Sequence, residues 1–237
     1  MNLIKSTSTF SFFTLISRIL GYLRDLLIAI YLGSGPIADA FFVAFRIPNT
    51  FRRLFSEGTF NAAFVPSYSS ELAVSEKRGN IFANQILNIL IFWLFLLVFV
   101  IEIFMPAFVF LIAPGFKENS EKIELAINLT RYTFPFLFFV SLSSFFSAIL
   151  NSHNKFAAAS AAPIILNVLL ILVLFFSNYF DDQLVYYLSY AVTLAGIIQL
   201  IFLVYFTKKI YLPKISFVFK LNKLTYLTKI FQIIKLL

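Results

Sequence analysis

The sequence predicts an all-α fold, a polytopic membrane helical bundle of about six spans. Three observations carry this. Of the 237 residues, 60% are hydrophobic and only 13% charged, with a mean hydropathy of +0.90, against about 45–50% and about 25% in soluble domains. Polar surface is too scarce to coat a globule in water, so the bilayer must serve as solvent. Six apolar stretches reach the roughly 20 residues that a spanning helix needs, at about 9–32, 36–55, 84–112, 128–150, 157–178 and 184–207. Finally, the ten-residue alternation of barrel strands is not seen.

Taken in order, the first stretch follows Lys5 and is interrupted by Arg18, with no A-x-A-like cleavage site after it. It is therefore expected to remain in the mature protein rather than act as a signal peptide. Pro48 lies inside the second stretch, where it removes a backbone donor and predicts a kink or discontinuity. The third is long enough to tilt, and Pro106 offers a kink. The intervening loops alternate in charge. SEKRGN (75–80), NSHNKF (151–156) and TKKIYLPK (207–214) are net positive, whereas PGFKENSEK (114–122) and NYFDDQ (178–183) are balanced or acidic. The positive-inside rule then places both termini in the cytoplasm. The spans fill residues 1–210; residues 211–237, with lysines at 214, 220, 223, 229 and 235, read as a basic amphipathic segment at the membrane interface or a basic tail.

Several function classes are disfavoured at once. There is no cysteine and a single histidine, His153, so disulfides, thiolate metal sites and histidine clusters are ruled out, and no cofactor is expected. The net charge of +8 is spread over short loops rather than gathered on a face with interleaved aromatics, which argues against nucleic acid. No P-loop pattern for ATP is found. The acidic pair Asp181–Asp182 falls in a loop, which does not favour a membrane transferase built on clustered carboxylates. His153 reads as a solvated loop residue and Arg131 as an interface anchor. Trp93 and the phenylalanines read as lipid-facing or packing residues, and Glu102 should pair across the bundle or face a cavity.

Ionised residues inside the first two stretches are the chief signal. In SRILGYLRDLLIAIYLG (17–33), Arg18 and Asp25 stand seven residues apart, about two turns, and share one side, with Arg24 beside them and Gly21 between. In SGPIADAFFVAFRIPNTFRRLFSEG (34–58), Asp39, Arg46 and Arg53 repeat every seven positions, with Arg52 adjacent and Glu57 one turn beyond Arg53. A guanidinium at mid-bilayer costs about 2.5–3.5 kcal/mol on the translocon scale, so Arg18 and Arg24 call for a watery cavity or a buried partner. Arg46, Arg52 and Arg53 also suit a positive-inside anchor. Guanidinium forks match phosphate and carboxylate, and several converging in a low-dielectric vestibule would hold a large anion such as pyrophosphate.

The run from Ser17 to Leu72, together with APGF (113–116), RYTFPFLFFVSLSSFFSAILNSHNKF (131–156) and APIILNVLLI (162–171), resembles the N-terminal half of the MurJ (MviN) lipid II flippases. The resemblance implies one six-helix lobe of the two-lobed multidrug/oligosaccharidyl-lipid/polysaccharide exporter fold, in the bacterial inner membrane, with a C-terminal lobe missing. It implies transport of an undecaprenyl-pyrophosphate-linked peptidoglycan precursor through a cationic cavity by alternating access. Arg18, Arg24 and Arg52 match the cavity arginines of the family, and Asp39, Glu57, Asp25 and Arg53 its portal and gating positions. A polysaccharide-precursor flippase of the same superfamily and an inactive fragment stay open as alternatives.

Overall fold

A computed structural model describes residues 3–57, 59–116, 119–180 and 183–215, with side chains omitted for 3–7, 47 and 51–59. Among these residues the chain forms the helices α1 (Leu3–Leu32), α2 (Pro36–Glu57), α3 (Thr59–Val74), α4 (Glu76–Ile103), α5 (Met105–Ile112), α6 (Ser120–Thr133), α7 (Phe136–Ser152), α8 (Phe156–Phe175) and α9 (Leu184–Lys208). Strands are absent among the described residues. The predicted all-α class holds.

The chain reverses where the sequence supplies the chemistry for it. Gly33 closes α1 in the left-handed region, with φ of 64°, and Pro36 opens α2. Ser75 caps α4 by accepting from the Arg78 backbone N–H, and Asn119 caps α6 by accepting from that of Lys122. Between α7 and α8, Asn154 takes φ of 61°, a value asparagine tolerates better than most residues.

Four helical stretches are long and apolar enough to cross a membrane, by length and composition: Glu76–Ile103, Ser120–Ser152, Phe156–Phe175 and Leu184–Lys208. At 1.5 Å per residue α1 and α2 are about 45 and 33 Å long, so both have the reach, but they carry the ionised residues discussed above. Several expected boundaries move. The stretch expected at 84–112 starts at Glu76 and breaks at Phe104, with Pro106 in the first turn of α5. SEKRGN is therefore not a loop: Ser75 is the cap and the following residues are the first turn of α4. The stretch expected at 128–150 starts at Ser120 and is interrupted at Phe134–Pro135.

The second stretch departs furthest from expectation. α2 continues through Pro48 instead of breaking there, and after Glu57 the chain resumes as α3 and runs on to Val74. α2 packs on α6 and α7, and α3 packs on α7 and α4. Phe60, Phe64 and Tyr68, one turn apart and all buried, stack in sequence, and Phe64 meets Phe145 of α7 edge to face. Arg46, Arg52 and Arg53 thus fall near the middle of this run, not at its end. Expectations for the side chains of Arg52, Arg53 and Glu57, and for residues 216–237, lie outside the described residues. Residues 211–215 run without helix back along the start of α4, where Asn84 Oδ1 accepts from the Tyr211 hydroxyl and the Lys214 backbone N–H, both at 2.7 Å.

Two apolar clusters form the interior. One gathers α2, α6 and the adjoining halves of α8 and α9 around Phe41, Leu129, Phe134, Leu170 and Leu188. The other gathers α3, α4 and the end of α7 around Phe64, Phe82, Phe145 and Leu150. α7 and α9 approach closely because Gly196 has no side chain: a Cβ there would stand 2.7 Å from Cδ2 of Phe136. Polar residues concentrate where the two clusters meet.

Candidate functional site: a cationic cavity against the first helix

A cavity of about 670 Å³ opens between α1, α7, α8 and α9, with Asn49 of α2 and Asn61 of α3 also on its lining. Its apolar lining residues Val140 and Leu166 belong to the first cluster, and Ala162 and Leu203 to the second. Arg18, Gly21, Arg24 and Asp25 all line it, so the face read from their spacing does turn to one hollow.

Arg24 is the fixed member, its residue only 8% exposed. Its Nε and Nη2 donate to Asp25 Oδ1 at 2.9 and 2.7 Å, and its Nη1 donates to Asn167 Oδ1 at 2.7 Å. The Phe45 ring lies 5.2 Å from the guanidinium carbon, within cation–π range. Asn167 in turn donates from Nδ2 to the Ser17 carbonyl oxygen at 2.9 Å. One amide on α8 therefore holds α1 by a main-chain carbonyl and by a guanidinium. Gly21 lies at this contact, where a Cβ would be 3.6 Å from Asn167 Nδ2.

Arg18 is different. It lines the cavity, is exposed, and has no hydrogen-bond or ion-pair partner among the described residues. Since arginine stays protonated at any working pH, Arg18 brings a permanent unpaired positive charge, among the described residues, to the hollow beside the Arg24–Asp25 pair. Asp25 remains largely open, its side chain 61% exposed. The rest of the lining is uncharged, and among its apolar residues stand the polar Ser143, Ser144, Asn151, Ser160 and Gln199 from α7, α8 and α9.

Asp39 stands apart, at the end of the bundle where α1 turns into α2. It pairs with Lys122 of α6, whose ammonium also lies 4.2 Å from the Phe116 ring centre. Glu102 does not line the cavity, and Arg131 is exposed in the last turn of α6. His153 lies in a turn, as read, but is not simply solvated. Its Nε2 lies 3.2 Å from the Tyr68 hydroxyl, and the two rings meet edge to face, because the end of α3 packs on the turn after α7. Sequence reading passed over Asn167, although a lone amide in APIILNVLLI is itself a signal: polar groups in a spanning helix need a partner.

Residues 28–235 match the family model for the lipid II flippase MurJ. The chain belongs to the MurJ lipid II flippase family. It is 44% identical over 205 residues to a probable lipid II flippase MurJ of Rhizobium tropici, covering 84% of this chain and 38% of that relative. The chain thus spans about two-fifths of the length of this MurJ relative. Among solved structures it resembles a lipid II flippase MurJ in an inward closed conformation, at 29% identity and a TM-score of 0.75, over 96% of this chain and 47% of that one. A multidrug resistance MATE transporter of the MOP superfamily in an outward-facing conformation shares the fold, at 19% identity and a TM-score of 0.67, over 98% of this chain and 52% of that one. The superfamily architecture expected from the MurJ resemblance is met.

Proposed function

We propose that this chain forms the arginine-lined half of a lipid II flippase, gripping the pyrophosphate of a polyprenyl-linked glycan while the lipid tail stays in the bilayer. The observation that carries the reading is the unpaired Arg18 guanidinium in the same hollow as the braced Arg24. A cavity with a fixed and a free guanidinium favours an anion with several acceptor oxygens, and Arg52 is assigned as the third contact. Asp25 serves as an internal counter-ion that releases Arg24 to the incoming phosphate. Asp39, Glu57 and Arg53 are assigned to the portal and to gating. Asp39 does this through its pair with Lys122, which joins α2 to α6.

In this reading the protein transports without making or breaking bonds. It sits in the bacterial inner membrane with both termini cytoplasmic, and a second lobe, in the same chain or another, closes the far side of the cavity. An anion moved outward gains about 2.3 kcal/mol per charge per 100 mV of membrane potential, enough to bias alternating access without nucleotide. The test is binding of undecaprenyl diphosphate to the chain in lipid nanodiscs. Arg24→Ala should weaken it about a hundredfold, the worth of one or two charge-assisted hydrogen bonds. Unchanged affinity in both Arg18→Ala and Arg24→Ala would remove the basis of the assignment.

A further inference from the structure

We propose that Asn84 is a latch: by gripping the non-helical segment that leaves α9, it holds the end of α9 to the start of α4 and stops the two helices from parting around α7. The proposal does not depend on what the cavity binds.

An amide in a helix as apolar as α4 calls for a partner. Asn88 finds one at home, its Nδ2 donating to the Asn84 carbonyl at 2.7 Å. Asn84, one turn earlier, reaches another part of the chain. Residues 211–215 form no helix, so their main chain must find hydrogen-bond partners elsewhere. Asn84 Oδ1 accepts from the Lys214 backbone N–H and from the Tyr211 hydroxyl, both at 2.7 Å. The same hydroxyl lies 3.5 Å from the Asn80 carbonyl oxygen. Apolar contacts seat the segment as well: Ile210 and Tyr211 pack against the second cluster, and Pro213 is buried.

The helices on either side give the latch its purpose. α4 packs chiefly on α3 and α7, whereas α9 packs chiefly on α7 and α8. α7 therefore stands between them, and the Asn84 contact closes the ring of α4, α7 and α9. Its α4 side is firm. The Glu71 carboxylate, 6% exposed, accepts from Arg78 Nε at 2.9 Å across the corner between α3 and α4. At Gly79 a Cβ would stand 2.5 Å from Cδ2 of Leu72, so the two helices meet closely there. On the other side, the Tyr211 N–H donates to the carbonyl of buried Thr207 at 2.9 Å, joining the segment to the last turn of α9. α7 brings Ser147 and Asn151 to the cavity lining near this end of the bundle. A closed latch thus keeps the back wall of the cavity in one shape.

Two measurements on the chain in nanodiscs test this. In hydrogen–deuterium exchange, the Lys214 amide of the unsubstituted chain should exchange about tenfold more slowly than an open one. Asn84→Leu should abolish that protection, and Asn84→Asp, which keeps an acceptor oxygen in place, should retain it. Protection that survives Asn84→Leu, that is lost in both variants, or that is missing from the unsubstituted chain overturns the latch. The second measurement reads the helices. The chain has no cysteine, so Lys77→Cys and Lys208→Cys place spin labels at the exposed start of α4 and end of α9. Their distance distribution should be narrow, and Asn84→Leu should broaden it. Should that variant fail to fold, Lys214→Pro is read instead, since it removes the main-chain donor at an exposed site and leaves α4 untouched. An unchanged distribution in the variant read means that α4 and α9 are held without Asn84, and overturns the proposal.

Discussion

Along α4 every buried residue is apolar or glycine, Phe82, Ile86, Leu90 and Leu94 among them, while Trp93, Phe95 and Phe99 stand exposed on the other face. Along α1, almost the same length, the buried residues among those described are Arg24 and Ile28. α4 thus spends its interior on packing and its exterior on lipid. α1 gives its best-shielded position to a charge and leaves most of its apolar side chains uncovered, Phe12, Leu15, Ile19 and Ile30 among them. The difference shows that hydropathy alone misjudges such a helix. The charges of α1 are tolerated because Asn167, Asp25 and Phe45 are in place to receive one of them, and a hollow receives the other.

The sharpest way to break the contrast is to give α4 a charge without a receiver. Phe95→Arg should cost about 2.5–3.5 kcal/mol of insertion free energy in a glycosylation-reporter insertion assay. Trp93→Ala, on the same exposed face, should change it by less than about 0.5 kcal/mol. If Phe95→Arg inserted as readily as the unsubstituted helix, the exposed face of α4 would not meet lipid. Next in size is removal of the receiver in α1. Asn167→Ala strips Arg24 Nη1 and the Ser17 carbonyl of their partner together, and should lower stability in nanodiscs by about 1–3 kcal/mol. A melting temperature equal to that of the unsubstituted chain would mean that the amide does not brace α1.

The smallest effect concerns the start of α4. Burial holds the His153 imidazole below its ordinary pKa, opposed by the Glu76 carboxylate in the first turn of α4. As pH falls below about 6.5, the unfolded chain takes up this proton first. Stability from this site is therefore complete above pH 6.5 and is lost as pH falls through the lowered folded value. The melting temperature should be level between pH 8 and 7 and decline toward pH 5, and His153→Gln should flatten that decline. A decline of the same depth in the variant would assign it to other groups.

The helical class, the turns at Gly33 and Asn154, and the shared face of Arg18 and Asp25 could all be read from residues, since each depends on local periodicity or φ preference. The α2–α3 continuation could not. Thr59–Val74 carries Pro66, Asn61 and several serines and reads as a loop approach; its helix is secured by Phe60, Phe64 and Tyr68 packing on α7, a contact between residues some eighty positions apart. His153 escaped for the same reason, its partner Tyr68 lying 85 residues away. The cavity was legible on its charged side, where ionised residues stand out against apolar ones, and silent on its neutral side. Ser143 and Gln199 look like any small or amide residue in a membrane helix until burial shows them without partners.

The Asn167 amide has a mechanical consequence. It fastens α1 at Ser17 and at Arg24, two points about 10 Å apart along the helix axis. A strut pinned at two points resists rolling as well as parting, so α1 cannot turn on α8 without losing both bonds. Beyond the tight bend at Gly33, α1 touches α2 only lightly. Any displacement of α1 therefore carries α8 with it or breaks both bonds.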